Sequence, residues 1–210
     1  MFPEPGEWKG EIMTDNKTLV AEAIQFAAEK HQGQVRKRTE RPYIVHPCAV
    51  LGIAATMTSE PYILAAAVLH DTIEDTEATR EEIEERFGKE VADLVDAESQ
   101  EKGKSWYERK SHTIEHVKAA KNDVKIVCLA DKLANIRDMY YDHLEAGEEL
   151  WKRFKQHDPS VIGWYYRGVM EALRKDMSGF AAFKELEEIY GKLFGKYPEL
   201  SDEEAAKRAV

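Results

Sequence analysis

Several things are scarce in this 210-residue chain, and each scarcity closes off a class of protein. There are only two cysteines, Cys48 and Cys128. They lie too far apart for a disulfide framework, and neither belongs to a CxxC pair of the kind that holds zinc or runs thiol exchange. Both sit among apolar residues, so two buried free thiols are expected. With 12 glycines and 7 prolines the chain is neither fibrous nor low in complexity. Long apolar runs are missing too. The longest, Ile63 to Leu69, is far short of the roughly 20 residues that cross a bilayer. The opening MFPEPGEWKGEIMTD has acids and prolines where a secretory signal carries basic residues and an apolar core, so a cytoplasmic protein is expected. Basic residues are outnumbered 30 to 40, giving a formal net charge of −10. Such a chain repels polyanions and anionic membranes, which argues against polymeric nucleic acid and membrane as partners. A small anion remains open, because a metal or a few local cations outweigh the global field.

What is present is a helical pattern almost throughout. Leu19, Ala23, Phe26 and Ala27 form a stripe at helical spacing. Residues 32–42 are basic, contain glycine and read as a loop. Pro47 suits the first turn of a helix running to about Met57, and Pro61 opens a helix that is apolar nearly all round and therefore central. Thr79 with Glu82 has the form of a capping box ahead of a helix stopping at Gly88. Further helices are expected around Val91–Val95, over 106–120 and 124–141, from Pro159 to about Lys175, and over 180–194. No stretch alternates convincingly. The expected fold is all-α, an orthogonal helical bundle in one domain over 16–210, preceded by a loose tail at 1–15. Within it, 17–141 carries the motifs and 142–210 adds C-terminal helices.

Chemistry concentrates where ionisable side chains interrupt apolar helices. His46 stands in Tyr43-Ile44-Val45-His46-Pro47, His70 and Asp71 close the apolar helix, and Asp131 follows Val127-Cys128-Leu129-Ala130. Taken singly, each reads most simply as a capped helix end or a satisfied core histidine. Together they ask for a cation, since a charged group is rarely buried without a partner. Two imidazoles and two carboxylates suit a borderline divalent ion. Asp71 and Asp75 are four residues apart, as are His70 and Glu74, and Asp131 and Asn135. If the turn after Asp71 stays helical, Glu74 and Asp75 project beside the same ion, an arrangement suited to activating water.

These residues, in order, resemble the H…HD…D signature of the HD-domain metal-dependent phosphohydrolases. The segments HQGQVRK, RPYIVHP, AAAVLHDTIEDT, FGKEVADLV and LADKLANIRDM are similar to the hydrolase domain of the RelA/SpoT alarmone enzymes, closest in style to the small stand-alone Mesh1-type hydrolases. The resemblance runs from about Lys17 to Tyr141. It implies an HD-type bundle, manganese (or another divalent transition metal) as cofactor, and removal of the 3′-pyrophosphate of (p)ppGpp. It further implies His46, His70, Asp71 and Asp131 as metal ligands. Glu74 and Asp75 would then be the catalytic pair managing the water, with Arg36, Lys37 and Asn135 binding substrate. Arg36, Lys37, Arg38 and Arg41 also make one local cationic loop.

Two segments depart from the family pattern: Thr39-Glu40-Arg41-Pro42, and Asp96-Ala97-Glu98-Ser99 where a Val-Thr element is usual. Both bear on base identity and phosphate number. They leave open a nucleoside 5′-monophosphate, an adenine alarmone, an NADPH-type substrate, or a catalytically silent nucleotide-binding module. The Glu74-Asp75 pair speaks against silence. About 70 residues follow Tyr141, too few for an attached synthetase domain. A separate pattern, His112-Thr113-Ile114-Glu115-His116, satisfies the HxxEH of inverted zinc peptidases, but a solvated helix face explains it more simply. Trp151, Trp164, Tyr165 and Tyr166 are expected in a core or an interface, and exposed aromatics at 164–166 would make a homodimer unsurprising.

Overall fold

A computed structural model describes residues 18–36, 39–98 and 103–209. Eleven α-helices fill the described chain, and the pairing of Val35 with Pro42 is its one isolated β-bridge. The chain is all-α, as its periodicity predicts. The expected tail at 1–15 lies outside the described residues.

Helix α1 (Leu19–Lys30) buries Leu19, Ala23, Phe26 and Ala27. Helix α2 (Val45–Ala54) begins two residues before Pro47, so His46 sits within its first turn. It ends before Met57 because Thr56 donates its hydroxyl to the Ile53 carbonyl at 2.7 Å, and Glu60, ahead of Pro61, is extended. Helix α3 (Pro61–Leu69) is the centre of the molecule. Ala65, Ala66 and Ala67 are fully buried, and their small side chains let α1, α2, α6 and α8 close in around it. The chain breaks at His70 and Asp71 and resumes as the single turn α4 (Thr72–Asp75).

Thr79 accepts from the Glu82 amide at the start of α5 (Arg80–Phe87), which stops at Gly88 (φ +90°), a backbone region side chains resist. Helix α6 (Lys89–Glu98) follows. A full capping box between Ser105 and Glu108 opens α7 (Trp106–Ala119). Helix α8 (Asn122–Ala146) is longer than its apolar pattern suggests and runs into a 3₁₀ segment, Gly147–Arg153. Helices α9 (Pro159–Met177) and α10 (Ala181–Phe194) pack on α8, and a last helix, α11 (Asp202–Arg208), has no apolar stripe that would announce it.

Two expectations are corrected. Cys48 is exposed, because it lies on the outward side of α2 beside exposed Val45 and Ala49, whereas Cys128 is buried. Trp164, Tyr165 and Tyr166 are each only 5% exposed, packed within the chain itself. Trp164 donates its indole N–H to Asp202 at 2.8 Å, so this cluster offers no surface for a homodimer. Trp151 is buried as well, donating to the Tyr197 hydroxyl at 2.8 Å.

The C-terminal helices are tied to the 3₁₀ segment by Glu148, which accepts from Tyr197 at 2.6 Å and pairs with Lys196. These partners lower its carboxyl from 4.5 to about 2. A depressed folded-state pKa contributes stability that is present above the unfolded value and lost as pH falls through the folded one. Because Glu148 is exposed, the contribution is screened to about 0.5–1 kcal/mol. Urea titrations of Glu148→Gln and wild type should differ by that amount at pH 7 and converge as the pH falls from 4.5 towards 2.

Candidate metal centre

The break between α3 and α4 turns two consecutive side chains towards α2 and α8. His70 Nε2 lies 3.1 Å from Asp71 Oδ2 and 3.6 Å from Asp131 Oδ1. His46 Nε2, from the first turn of α2, lies 3.2 Å from Asp131 Oδ1 and 3.5 Å from Asp71 Oδ2. All four groups predicted as ligands are thus brought together, and His46, His70 and Asp131 are buried.

The donor set fits a divalent ion on two grounds. Neighbouring ligands about 2.1 Å from one octahedral ion stand about 3 Å apart, close to these separations. The second ground is an orphaned atom. His70 Nδ1 sits 2.9 Å from the Ala67 carbonyl, to which it donates, leaving Nε2 with a bare lone pair. That nitrogen is buried and has no hydrogen-bond partner, although carboxylate oxygens surround it. An acceptor facing acceptors needs a cation between them. Without a metal, a proton does this service. Burial opposes charging His70, but Asp71 and Asp131 outweigh it and raise its pKa well above the ordinary value. Burial likewise opposes the charged forms of Asp71 and Asp131, yet both are driven low, Asp71 chiefly by His70 and Asp131 by Lys132 and the two imidazoles.

A further ring of contacts orients these groups. Asp131 Oδ1 accepts from Asn135 Nδ2 at 2.5 Å, and its other oxygen pairs with Lys132. The Tyr43 hydroxyl lies 2.7 Å from both Asp71 Oδ2 and Asp75 Oδ2, and with one proton it donates to one at a time. Burial first, then those two carboxylates, raise the phenol's pKa far above its usual range. Tyr43 is itself stacked on buried His31, centroids 4.7 Å apart. Gln34 holds His31 Nδ1 at 2.8 Å and donates to the Asp75 carbonyl at 2.8 Å.

Glu74 and Asp75 are both exposed on α4, the turn that follows Asp71. Desolvation, then Asp71 and Asp75, raise the Glu74 carboxyl above its ordinary value. Arg36 reaches α8, donating to Asn135 Oδ1 at 3.0 Å and Asp138 Oδ2 at 2.8 Å. Arg41 pairs with Asp142 at 3.1 Å, so these two cations are already partly neutralised. Lys37 and Arg38 lie outside the described residues. His112 and His116 are exposed on α7, rings parallel at 6.4 Å, on a solvated face as the simpler reading expects. Sequence reasoning missed Tyr43, Lys132 and Lys110. Tyr43 lay in plain view within RPYIVHP and Lys132 beside Asp131, whereas nothing in the spacing links Lys110 to the other motifs.

The HD domain family matches residues 23–156. The chain is 44% identical over 133 residues to a Xenopus tropicalis protein named guanosine-3′,5′-bis(diphosphate) 3′-pyrophosphohydrolase MESH1, covering 60% of this chain and 73% of that one. The Homo sapiens protein of the same name is 43% identical over 133 residues, with the same coverage. A solved structure described as a metazoan ortholog of SpoT that hydrolyzes ppGpp superposes with a TM-score of 0.69 at 31% identity, over 83% of this chain and 94% of that one.

Proposed function

Because the chain belongs to the HD domain family and is related to MESH1 pyrophosphohydrolases, we propose that it is a metal-dependent phosphohydrolase removing the 3′-pyrophosphate of (p)ppGpp-like alarmones. The observation that carries the reading is the His70 nitrogen, bare and buried against two carboxylates and a second imidazole, in a chain so close to enzymes of that name. His46, His70, Asp71 and Asp131 hold the ion, with manganese as its identity. When bound, a divalent ion supplies Lewis acidity, lowering the pKa of water and drawing charge from phosphoryl oxygens.

The chain's own residues do the rest. Glu74 and Asp75 orient the attacking water and take its proton at their carboxylate oxygens. Tyr43 steadies Asp71 and Asp75 through one hydroxyl, so ligand and base keep a common register. Arg36, with Lys37 from the same loop, meets phosphate charge, and Asn135, bonded to both Arg36 and Asp131, links that loop to the centre. Water adds to phosphorus, the bond to the ribose 3′-oxygen breaks, and that oxygen takes up a proton, giving GDP or GTP and pyrophosphate. No helix among the described residues is long and apolar enough to cross a membrane, and a small nucleotide is the only partner this chemistry requires.

The test is pyrophosphate release from ppGpp by metal-stripped protein before and after Mn²⁺ is restored. Turnover that appears only with the metal supports the reading. Metal binding without release keeps the centre but discards the alarmone, and a panel of nucleoside monophosphates then takes its place.

A further inference from the structure

Beyond the groups that the family resemblance implies, one cation near the centre has no ion-pair partner among the described residues. Lys110, on α7, makes no ion pair and no hydrogen bond among the described residues; its only close contact of charge type is the Tyr165 ring, 4.8 Å from Nζ to centroid. Lys132 Nζ lies 5.9 Å from the same centroid, so two ammonium groups, from α7 and α8, flank one aromatic ring on α9. Their situations differ. Lys132 is paired with Asp131, while Lys110 is half-buried with no acceptor among the described residues. Burial and then Lys132 push its ammonium down to about 8, so it still carries a proton at neutral pH. An ammonium withdrawn from water beside a second one is unfavourable unless an anion joins them.

The placement is rigid. Tyr107 stacks on Trp164 at 5.0 Å, Trp106 meets Tyr165 edge-on at 6.1 Å, and Gly168 gives α9 a surface so close to Ile114 that a Cβ would stand 2.5 Å from its Cδ1. Helix α7 therefore cannot swing Lys110 away without breaking an aromatic interface. The carboxylates whose charge Lys110 feels are Asp131 and Glu74, those of the reacting centre. Arg36 stands elsewhere, against Asn135 and Asp138, one and two turns further along α8.

We infer that Lys110 binds the pyrophosphate group that leaves, on the Glu74 side of the metal cluster, while Arg36 attends the nucleoside-bearing remainder on the other. This rests on the reading above for the identity of the substrate. It makes Lys110 a residue that distinguishes a substrate with a diphosphate on the ribose 3′-oxygen from one with a single phosphate there.

The experiment titrates Mn²⁺-loaded protein calorimetrically with inorganic pyrophosphate and, separately, with GDP, free manganese being buffered. Losing one charge-assisted hydrogen bond should weaken pyrophosphate binding about 10- to 30-fold in Lys110→Gln. GDP affinity should change less than about twofold and manganese content not at all. Lys110→Arg keeps the charge and should retain pyrophosphate affinity within about threefold, which separates charge from packing. Unchanged pyrophosphate binding in Lys110→Gln overturns the assignment, as does an equal loss for GDP. The titration needs no turnover. If wild type releases nothing from ppGpp, the substrate reading falls while the fate of Lys110 is still read.

Discussion

An Asp131→Asn variant should lose its bound metal and, with it, at least about 10³-fold in turnover, since a metal-supplied charge is worth several kcal/mol to the transition state. Asn keeps the volume and can still accept from Asn135, so the change removes charge rather than shape. Asp131 is the carboxylate to test because it lies within 3.6 Å of both imidazoles and is the most buried acid of the cluster. It also pairs with Lys132, whose charge is then left among buried groups. Two readouts should therefore move together: metal content by elemental analysis falls below about a tenth of an equivalent, and the melting temperature of metal-free protein drops. Asp142→Asn, which disturbs only the Arg41 ion pair near the same helix's exposed end, should keep its metal. A full equivalent of metal retained in Asp131→Asn would remove Asp131 from the ligand set.

The helical course of the chain was legible because the signals were local. Prolines at 47, 61 and 159, the Thr79 cap on the Glu82 amide and a 3.6-residue apolar rhythm all act within a few residues. The four ligand candidates were legible for a different reason, as ionisable groups set into otherwise apolar helices. What the sequence hid was long-range. Tyr43 touches Asp71 28 residues away, and Arg36 reaches Asp138 across 102. No spacing rule links such pairs, and Lys110 joins the centre only because α7 and α9 stack. Exposure was the least legible property. Cys48 has apolar neighbours in sequence but faces outward, and only packing decides that Trp164 and Tyr165, expected in a core or an interface, are core. A helix's buried face depends on what packs against it, and α11, whose only buried residue is Ala205, is placed by tertiary contact with α9.

The same geometry separates the two acids beside the proposed metal ligands. Asp75 accepts from the Tyr43 hydroxyl, whereas Glu74 makes no hydrogen bond among the described residues. Its charged form is further penalised by desolvation, by Asp71 and by Asp75. An unbonded, destabilised carboxylate is the stronger base, so Glu74 is expected to take the proton and Asp75 to orient water. Glu74→Gln should then lower kcat by about 10²–10⁴, the usual worth of a positioned base, with manganese still bound. Asp75→Asn should cost less, since an amide oxygen can still accept from Tyr43 and hold water. The pH profile tells the two apart. A base acts when deprotonated, so kcat/KM of the wild type rises with pH through the Glu74 titration, which is shifted upward. Glu74→Gln should flatten that limb, and Asp75→Asn should keep it. Equal losses in both variants with the limb intact would assign the proton elsewhere.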